Sequence, residues 1–600
     1  MENNAQDICE REYHVSVKGD DSNPGSASEP LRTIQAAAML AQPGDTVTVH
    51  EGIYRERVNP PRGGESDARR IVYQAAPGED VAIKGSEVIK EWVQQDGDVW
   101  MVHLSNDYFG AFNPYANLLH ADWFFPQGRD HHTGAVYLND EALNEAATLD
   151  ELFGKCRGKK WFGKSDNSGT RIWANFKGAN PNEELVEINK RRTVFYPSSA
   201  GMNYITVRGF TLSQAATPWS PPTTEQIGLI GVNWSKGWII EDNTITHSRC
   251  TGITLGKYFD REDGLNKYGY NAHFQTVERV LARGEWTPET VGHHIVRNNH
   301  IAFCEQSGLV ASHGAAFSTI TGNVIHDIHV RCLFGGMEQA GIKIHAPVDA
   351  VISNNLIYHC VKGIWLDWMT QGTRVTGNLI YDSTQFDLFV EVSHGPFLVD
   401  NNIFLSDIAL LDASQGGAYV HNLFGGKVRQ RPELDRLTQY FKPHSTEKVG
   451  ISHIFDGDDR FYNNIVAESS GLQSYDKSEE PISMDGNVFL ARAKACRIEE
   501  NPLFDPEADT RFYVEKDGNN VFLEMDFDKK WGSTRKRKIV TTELLGKTRV
   551  ANQAFENADG SPLRIDTDYF GNPRNAENPF PGPLELSDST DKIRIWPSEG

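Results

Sequence analysis

Ile352-Ser353-Asn354-Asn355-Leu356-Ile357 is one copy of a phrase that returns through the middle of the chain. Each copy sets a strand-like run before Asn, then an aliphatic residue and a second short strand. Other copies are Ile239-Ile240-Glu241-Asp242-Asn243-Thr244-Ile245, Ile295-Val296-Arg297-Asn298-Asn299-His300-Ile301 and Ile320-Thr321-Gly322-Asn323-Val324-Ile325, and the phrase continues at Asn378, Asn402, Asn422 and Asn464. The intervals Asn299 to Asn323, Asn355 to Asn378 and Asn378 to Asn402 are 24, 23 and 24 residues, too short for an α/β unit with its crossover helix. Three short strands per turn fit instead, with Asn or Gly where the chain bends. The expected fold class is all-β, a right-handed parallel β-helix in which the repeated Asn side chains can stack as ladders. Cys304 and Cys360, each five positions after the phrase's Asn, read as small inward fillers.

Working outward, Tyr13–Val17 reads as a strand and Pro30–Ala38 as a short helix able to cap the open end of the coil. Residues 1–86 are thus an N-terminal cap with the first turns. Between 87 and 197 the repeat vanishes, and short strands such as Val99-Trp100-Met101-Val102 and Arg171-Ile172-Trp173-Ala174 alternate with turn-rich loops. That stretch is expected to be an inserted β-sandwich. Residues 198–500 carry the main coil, interrupted at about 257 to 292 by a helical stretch near Phe274 to Arg283, and 501–600 mix strands with a Pro/Asn-rich tail.

Six hundred residues exceed one compact core, which suits a solenoid. The chain is 39% hydrophobic with 13 Trp, 19 Tyr and 30 Phe, enough for a core and rich in rings that stack on sugars. A net charge of −22 argues against nucleic-acid and polyanionic partners. The seven Cys are scattered without a C-x-x-C pair, so neither a disulfide framework nor a zinc cage is suggested. Met1 to Glu12 is polar, without the apolar core of a signal peptide, and no run of about 18 apolar residues follows. The expectation is a cytoplasmic protein with no membrane partner.

Strand periodicity places the chemistry. In Ile364-Trp365-Leu366-Asp367-Trp368 the aliphatics point inward, so Trp365 and Asp367 project outward. In Leu388-Phe389-Val390-Glu391-Val392 the same rule turns Phe389 and Glu391 outward. Asp367 and Glu391 are 24 residues apart, one turn, which stacks the two carboxylates about 4.8 Å apart. Retaining glycosidases hold their carboxyl pair about 5 to 5.5 Å apart, and two carboxylates so close raise the pKa of one. Solvated surface acids on an acidic protein would show the same spacing, but aromatic neighbours, including Trp368, favour a sugar site. One turn earlier, Gly341-Ile342-Lys343-Ile344-His345 puts His345 on the same outer ladder as a candidate sugar contact, with Glu338 just before it. His394, in Glu391-Val392-Ser393-His394-Gly395-Pro396, is either placed to orient the acid by a hydrogen bond or an ordinary turn residue. The adjacent pairs His131-His132 and His293-His294 lack the i, i+4 spacing of a helical zinc site. The Asp456-Gly457-Asp458-Asp459 run could hold calcium but lacks the EF-hand pattern, so no metal or cofactor is assigned.

With the ladder assembled, the sequence resembles glycoside hydrolase family 120, the β-xylosidases built on a parallel β-helix with an inserted β-sandwich. The resemblance is carried by Gly363-Ile364-Trp365-Leu366-Asp367-Trp368 with Gln371-Gly372-Thr373-Arg374-Val375, and by Phe389-Val390-Glu391-Val392-Ser393-His394-Gly395-Pro396. Ala216-Thr217-Pro218-Trp219, Gly231–Trp238 and Pro443-His444-Ser445-Thr446 support it, so Trp219 and His444 join the candidate substrate contacts. The resemblance implies that Asp367 is the nucleophile, Glu391 the general acid/base and Glu338 a further acid of the site. It also implies xylobiose and short xylo-oligosaccharides as substrates and a homo-oligomer.

The expected function is a retaining, exo-acting β-xylosidase of xylan degradation and carbohydrate metabolism. Two alternatives stand beside it: a β-helix lyase or polygalacturonase, or a non-catalytic carbohydrate-binding solenoid. A lyase would need a Ca²⁺-linked acidic cluster with an Arg base, and a polygalacturonase three Asp residues; neither is evident.

Overall fold

The computed structural model describes residues 10–263, 269–467 and 471–597; most of the polar N-terminal stretch read from the sequence lies outside them. The chain divides into two compact units, one of Met1–Thr276, Asn299–Gln306 and Arg331–Glu338, the other of Val277–Asn298, Ser307–Val330 and Gln339–Gly600.

The first unit opens with short parallel strands, Glu12–Val15, Thr46–Val49, Ile71–Ala75, Ile205–Arg208 and Ile239–Glu241, paired in that order. The helix Ile34–Leu40 stands among the first of them, its Thr33 hydroxyl capping the Ala36 N–H. Two sheets of four and five strands are inserted between Ser86 and Asn189. Trp92, Val102, Tyr115, Val136, Trp161, Ile172 and Ile188 form the core these sheets share.

The second unit is a parallel β-helix of three sheets. One coil runs Val351–Ser353, Leu356–Tyr358, Lys362–Asp367, and each of its strands pairs in parallel with a strand of the next coil. The bend between the first two strands of each coil explains the repeated phrase. Asn355 donates its backbone and side-chain N–H groups to Asn378 Oδ1, both at 3.0 Å, and its Nδ2 also reaches the Ile320 carbonyl. The same pattern links Asn323 to Asn355, Asn378 to Asn402, Asn402 to Asn422, Asn422 to Asn464 and Asn464 to Asn487. The residue before each ladder Asn has positive φ: Gly322, Gly377 and Gly486, Asn354, Asn401 and Asn463, and His421. Gly and Asn tolerate that conformation best.

The third sheet carries the candidate site. Its strands within this unit are β1 Ser307–Ser312, β2 Ala340–His345, β3 Lys362–Asp367, β4 Phe386–Glu391, β5 Ile408–Ala413 and β6 Lys427–Gln430. An antiparallel hairpin follows, β7 Leu437–Phe441 and β8 Lys448–His453. Residues 501–600, expected to mix strands with a Pro/Asn-rich tail, carry a three-stranded sheet. Asn520–Phe527 pairs with Tyr513–Asp517 and Thr590–Trp596, and Leu523, Met525, Trp531 and Phe580 cover Leu379, Ile403, Leu423 and Ile465 of the second sheet. No helix among the described residues is long and apolar enough to cross a membrane.

Cutting the ladder should weaken the coil at one step. Asn378→Ala leaves the Asn355 donors without their acceptor in a buried bend, a loss of about 2 kcal/mol. The expected result is a lower urea midpoint with unchanged far-ultraviolet circular dichroism; an unchanged midpoint would show that the ladder carries no stability.

Candidate active site

Three strands build the site by alternation. Ile342, Ile364 and Leu388 stand in register, as do Ile344, Leu366 and Val390, and all six are fully buried. Between them run two outward ladders: Lys343, Trp365 and Phe389, then His345, Asp367 and Glu391. Asp367 and Glu391 are therefore direct neighbours on hydrogen-bonded parallel strands, about 4.8 Å apart in backbone terms.

Each residue of the second ladder ends its strand. Ala346, Trp368 and Val392, which follow them, have φ of 56°, 55° and 47°. For a β-branched residue such as Val392 this is a rare conformation. It is held by the Val392 N–H to the Ala413 carbonyl at 3.1 Å and by a serine chain, Thr370 N–H to Ser393 Oγ and Ser393 N–H to Ser414 Oγ, each 3.0 Å. The bend carries the chain away from the ends of β3 and β4 immediately after each carboxyl.

The two carboxyls have different surroundings. Burial, reinforced by the Asp367 charge, pushes the Glu391 pKa well above the usual carboxylate range, against the pull of Lys343, Arg436 and Arg431. Arg436 lies 3.8 Å from Glu391 Oε1 and shares Glu433 with Arg431. Asp367 Oδ2 lies 3.1 Å from Lys343 Nζ and 2.9 Å from His345 Nε2. The arrangement offers an acid and a carboxylate side by side.

His345, expected as a sugar contact, is thus engaged with Asp367. Trp365, expected to offer an open ring, has both faces covered: Phe389 stacks on it at 5.0 Å, and Lys343 and Lys362 lie 3.1 and 4.4 Å from its centre. Trp368 is buried, its backbone N–H donating to the Glu391 carbonyl at 2.9 Å. His394 corrects the reading that it orients the acid. Its Nε2 donates to the Thr438 carbonyl on β7 at 3.1 Å, its ring meets the Tyr440 ring edge-on, and burial lowers its pKa to about 4, keeping it neutral.

His444 stands between Asp349 at 3.1 Å and Glu556 at 3.4 Å. It lines a cavity of about 290 Å³ whose walls include neither Asp367 nor Glu391. Trp219 and Glu338 belong to the first unit. Trp219 is buried with its indole N–H on the Asp122 carbonyl at 3.0 Å and its ring against Phe124 and Phe334, and Glu338 is buried. In the Asp456–Asp459 run, Asp458 pairs with Arg460, Asp459 accepts the Gly417 N–H, and Asp456 accepts from Gln430. Among the described residues no three His, Cys, Asp or Glu side chains converge on a metal position.

Lys343 is the site residue that pattern reading missed. Its signal was present, since it occupies an outward position between Ile342 and Ile344, two residues before His345.

The chain is similar to known proteins over nearly all its length. A family model described as the glycoside hydrolase 120 insertion domain matches residues 89–188, one described as a right-handed β-helix region matches 286–427, and a protein family of unknown function (DUF1565) matches 17–60. The solved structure described as the complex of XylC with xylose is 40% identical, with 98% of this chain and 100% of that chain covered and a TM-score of 0.93. Another, described as a glycoside hydrolase, is 13% identical over 83% of this chain and 97% of that one, with a TM-score of 0.44. The uncharacterized protein YwoF of Bacillus subtilis (strain 168) is 35% identical over 75 residues, 12% of this chain and 16% of that protein.

The charge coupling predicts a direct titration result. Carbon-13 NMR of the Glu391 carboxyl should place its pKa well above that of a free glutamate. Asp367→Asn removes the neighbouring negative charge and should lower it by about one unit, with burial keeping it elevated. A Glu391 pKa indifferent to Asp367 would contradict the adjacency.

Proposed function

The chain belongs to glycoside hydrolase family 120 and is a xylosidase-type glycoside hydrolase, and from that premise we propose that it is a retaining, exo-acting β-xylosidase releasing xylose from xylobiose and short xylo-oligosaccharides. The observation that carries the retaining reading is the pairing of Asp367 with Glu391 on neighbouring strands, with the Glu391 pKa raised. That spacing matches the pair used in double displacement, whereas inversion needs a wider gap for water.

In the first step Asp367 bonds to the anomeric carbon as the bond from that carbon to the leaving oxygen breaks. The bonding pair departs with that oxygen, which takes the proton of Glu391. Glu391, now a carboxylate, removes a proton from water. The water oxygen then bonds the anomeric carbon on the face the leaving group vacated, Asp367 is released as a carboxylate, and the configuration is retained overall. The xylose in the structure of the 40%-identical relative supports the choice of sugar. A homo-oligomer acting in the cytoplasm completes the proposal; the free thiols of the described cysteines fit that compartment.

Proton NMR of xylobiose hydrolysis tests retention: β-xylose should appear before mutarotation, and α-xylose first would overturn it. Azide rescue tests the two roles separately. Asp367→Gly with azide should give the α-xylosyl azide and Glu391→Ala the β-xylosyl azide from an activated aryl xyloside, each reviving a variant slowed by a factor on the order of 10³ or more. Products of the opposite anomers would exchange the two assignments.

A further inference from the structure

Double displacement needs one carboxyl ionised and its neighbour protonated, and a ladder of two adjacent carboxyls does not by itself choose between them. The asymmetry arises from β2. Lys343 is 1% exposed at its side chain, and its Nζ lies 3.1 Å from Asp367 Oδ2 and 3.1 Å from the centre of the Trp365 ring. Phe389 stacks behind that ring at 5.0 Å, so the ammonium is clamped between an aromatic face and a carboxylate. His345 Nε2 reaches the same Oδ2 at 2.9 Å.

The other charged groups facing the pair lie elsewhere. Lys362, at the start of β3, sits 4.4 Å from the Trp365 ring centre. Arg431 and Arg436, after β6, stand on the Glu391 side, tied to Glu433, with Arg436 3.8 Å from Glu391 Oε1. Lys343 touches Asp367 directly, in a buried setting where charge interactions are screened little.

We infer that Lys343 is the positioning residue that holds Asp367 ionised and thereby consigns the proton of the pair to Glu391. The inference rests on the double-displacement reading. Its ammonium and the His345 ring both address Oδ2. Trp365 serves as the platform that fixes the ammonium, in place of the sugar-stacking role its sequence position suggested.

The test uses the full chain with Lys343→Met and Lys343→Gln, two uncharged replacements of which Gln keeps a hydrogen-bond donor, and Lys343→Arg, which keeps the charge. The readout is kcat/KM for 4-nitrophenyl β-xyloside against pH. In both uncharged variants the acid limb, set by Asp367, and the basic limb, set by Glu391, should move to higher pH by about one unit. The kcat should fall about a hundredfold with KM little changed, and Lys343→Arg should hold both limbs near those of the parent. Lower activity with unmoved limbs would mean a packing role and overturn the inference. Carbon-13 titration of the Asp367 carboxyl needs no substrate, so it separates this failure from that of the functional reading. A higher Asp367 pKa in Lys343→Gln supports the inference even if the parent hydrolyses no xyloside, and an unchanged value overturns it even if the parent does.

Discussion

The fixed spacing of hydrogen-bonded parallel strands, about 4.8 Å, is the constraint on which the rest of the second unit depends. Side chains on successive coils meet only when the strands keep register, and the asparagine ladder sets that register at one bend of every coil from Asn323 to Asn487. A slip of one residue would turn Asp367 or Glu391 into the apolar interior and bring Leu366 or Val390 to the surface. The stacking that stabilises the coil is thus also the ruler that spaces the carboxyl pair.

Two carboxyls at that spacing repel when both are charged. The protein meets this by unequal surroundings. Glu391 is buried against the Asp367 charge, which favours its protonated form, whereas Asp367 faces a buried ammonium and an imidazole. Sharp left-handed bends after His345, Asp367 and Glu391 end the strands at the site. The positive φ of Val392 is a cost of about 1 to 3 kcal/mol at a position where no β-branched residue would be chosen for the coil alone. Regularity builds the scaffold, and departures from it sit beside the chemistry.

Much of this was legible in the sequence because a coil repeats. The phrase around Asn355 and its recurrence after 23 or 24 residues identify the coil, and period-two alternation identifies Asp367, Glu391 and His345 as one outward ladder. Features that depend on non-repeating chain were not legible. The orientation of His394 is decided by the carbonyl of Thr438 on a hairpin outside the repeat. The covering of Trp365 depends on where the Lys343 and Lys362 side chains fold back, and strand alternation gives direction but not reach. Strands were expected in residues 501–600, but the pattern alone did not say how they pair; Asn520–Phe527, whose buried Val521, Leu523, Met525 and Phe527 alternate with less buried residues, pairs with two strands far apart in the chain.

The central claim is that Asp367 becomes covalently attached to the sugar while Glu391 handles the proton. Incubation with a 2-deoxy-2-fluoro-xyloside bearing an activated leaving group slows release of the glycosyl-enzyme more than its formation, and peptide mass spectrometry then locates the adduct. The account predicts one fluoroxylosyl group on the peptide containing Asp367, absent in Asp367→Asn and still formed in Glu391→Gln. An adduct on another carboxylate, or turnover with no adduct at all, would contradict it.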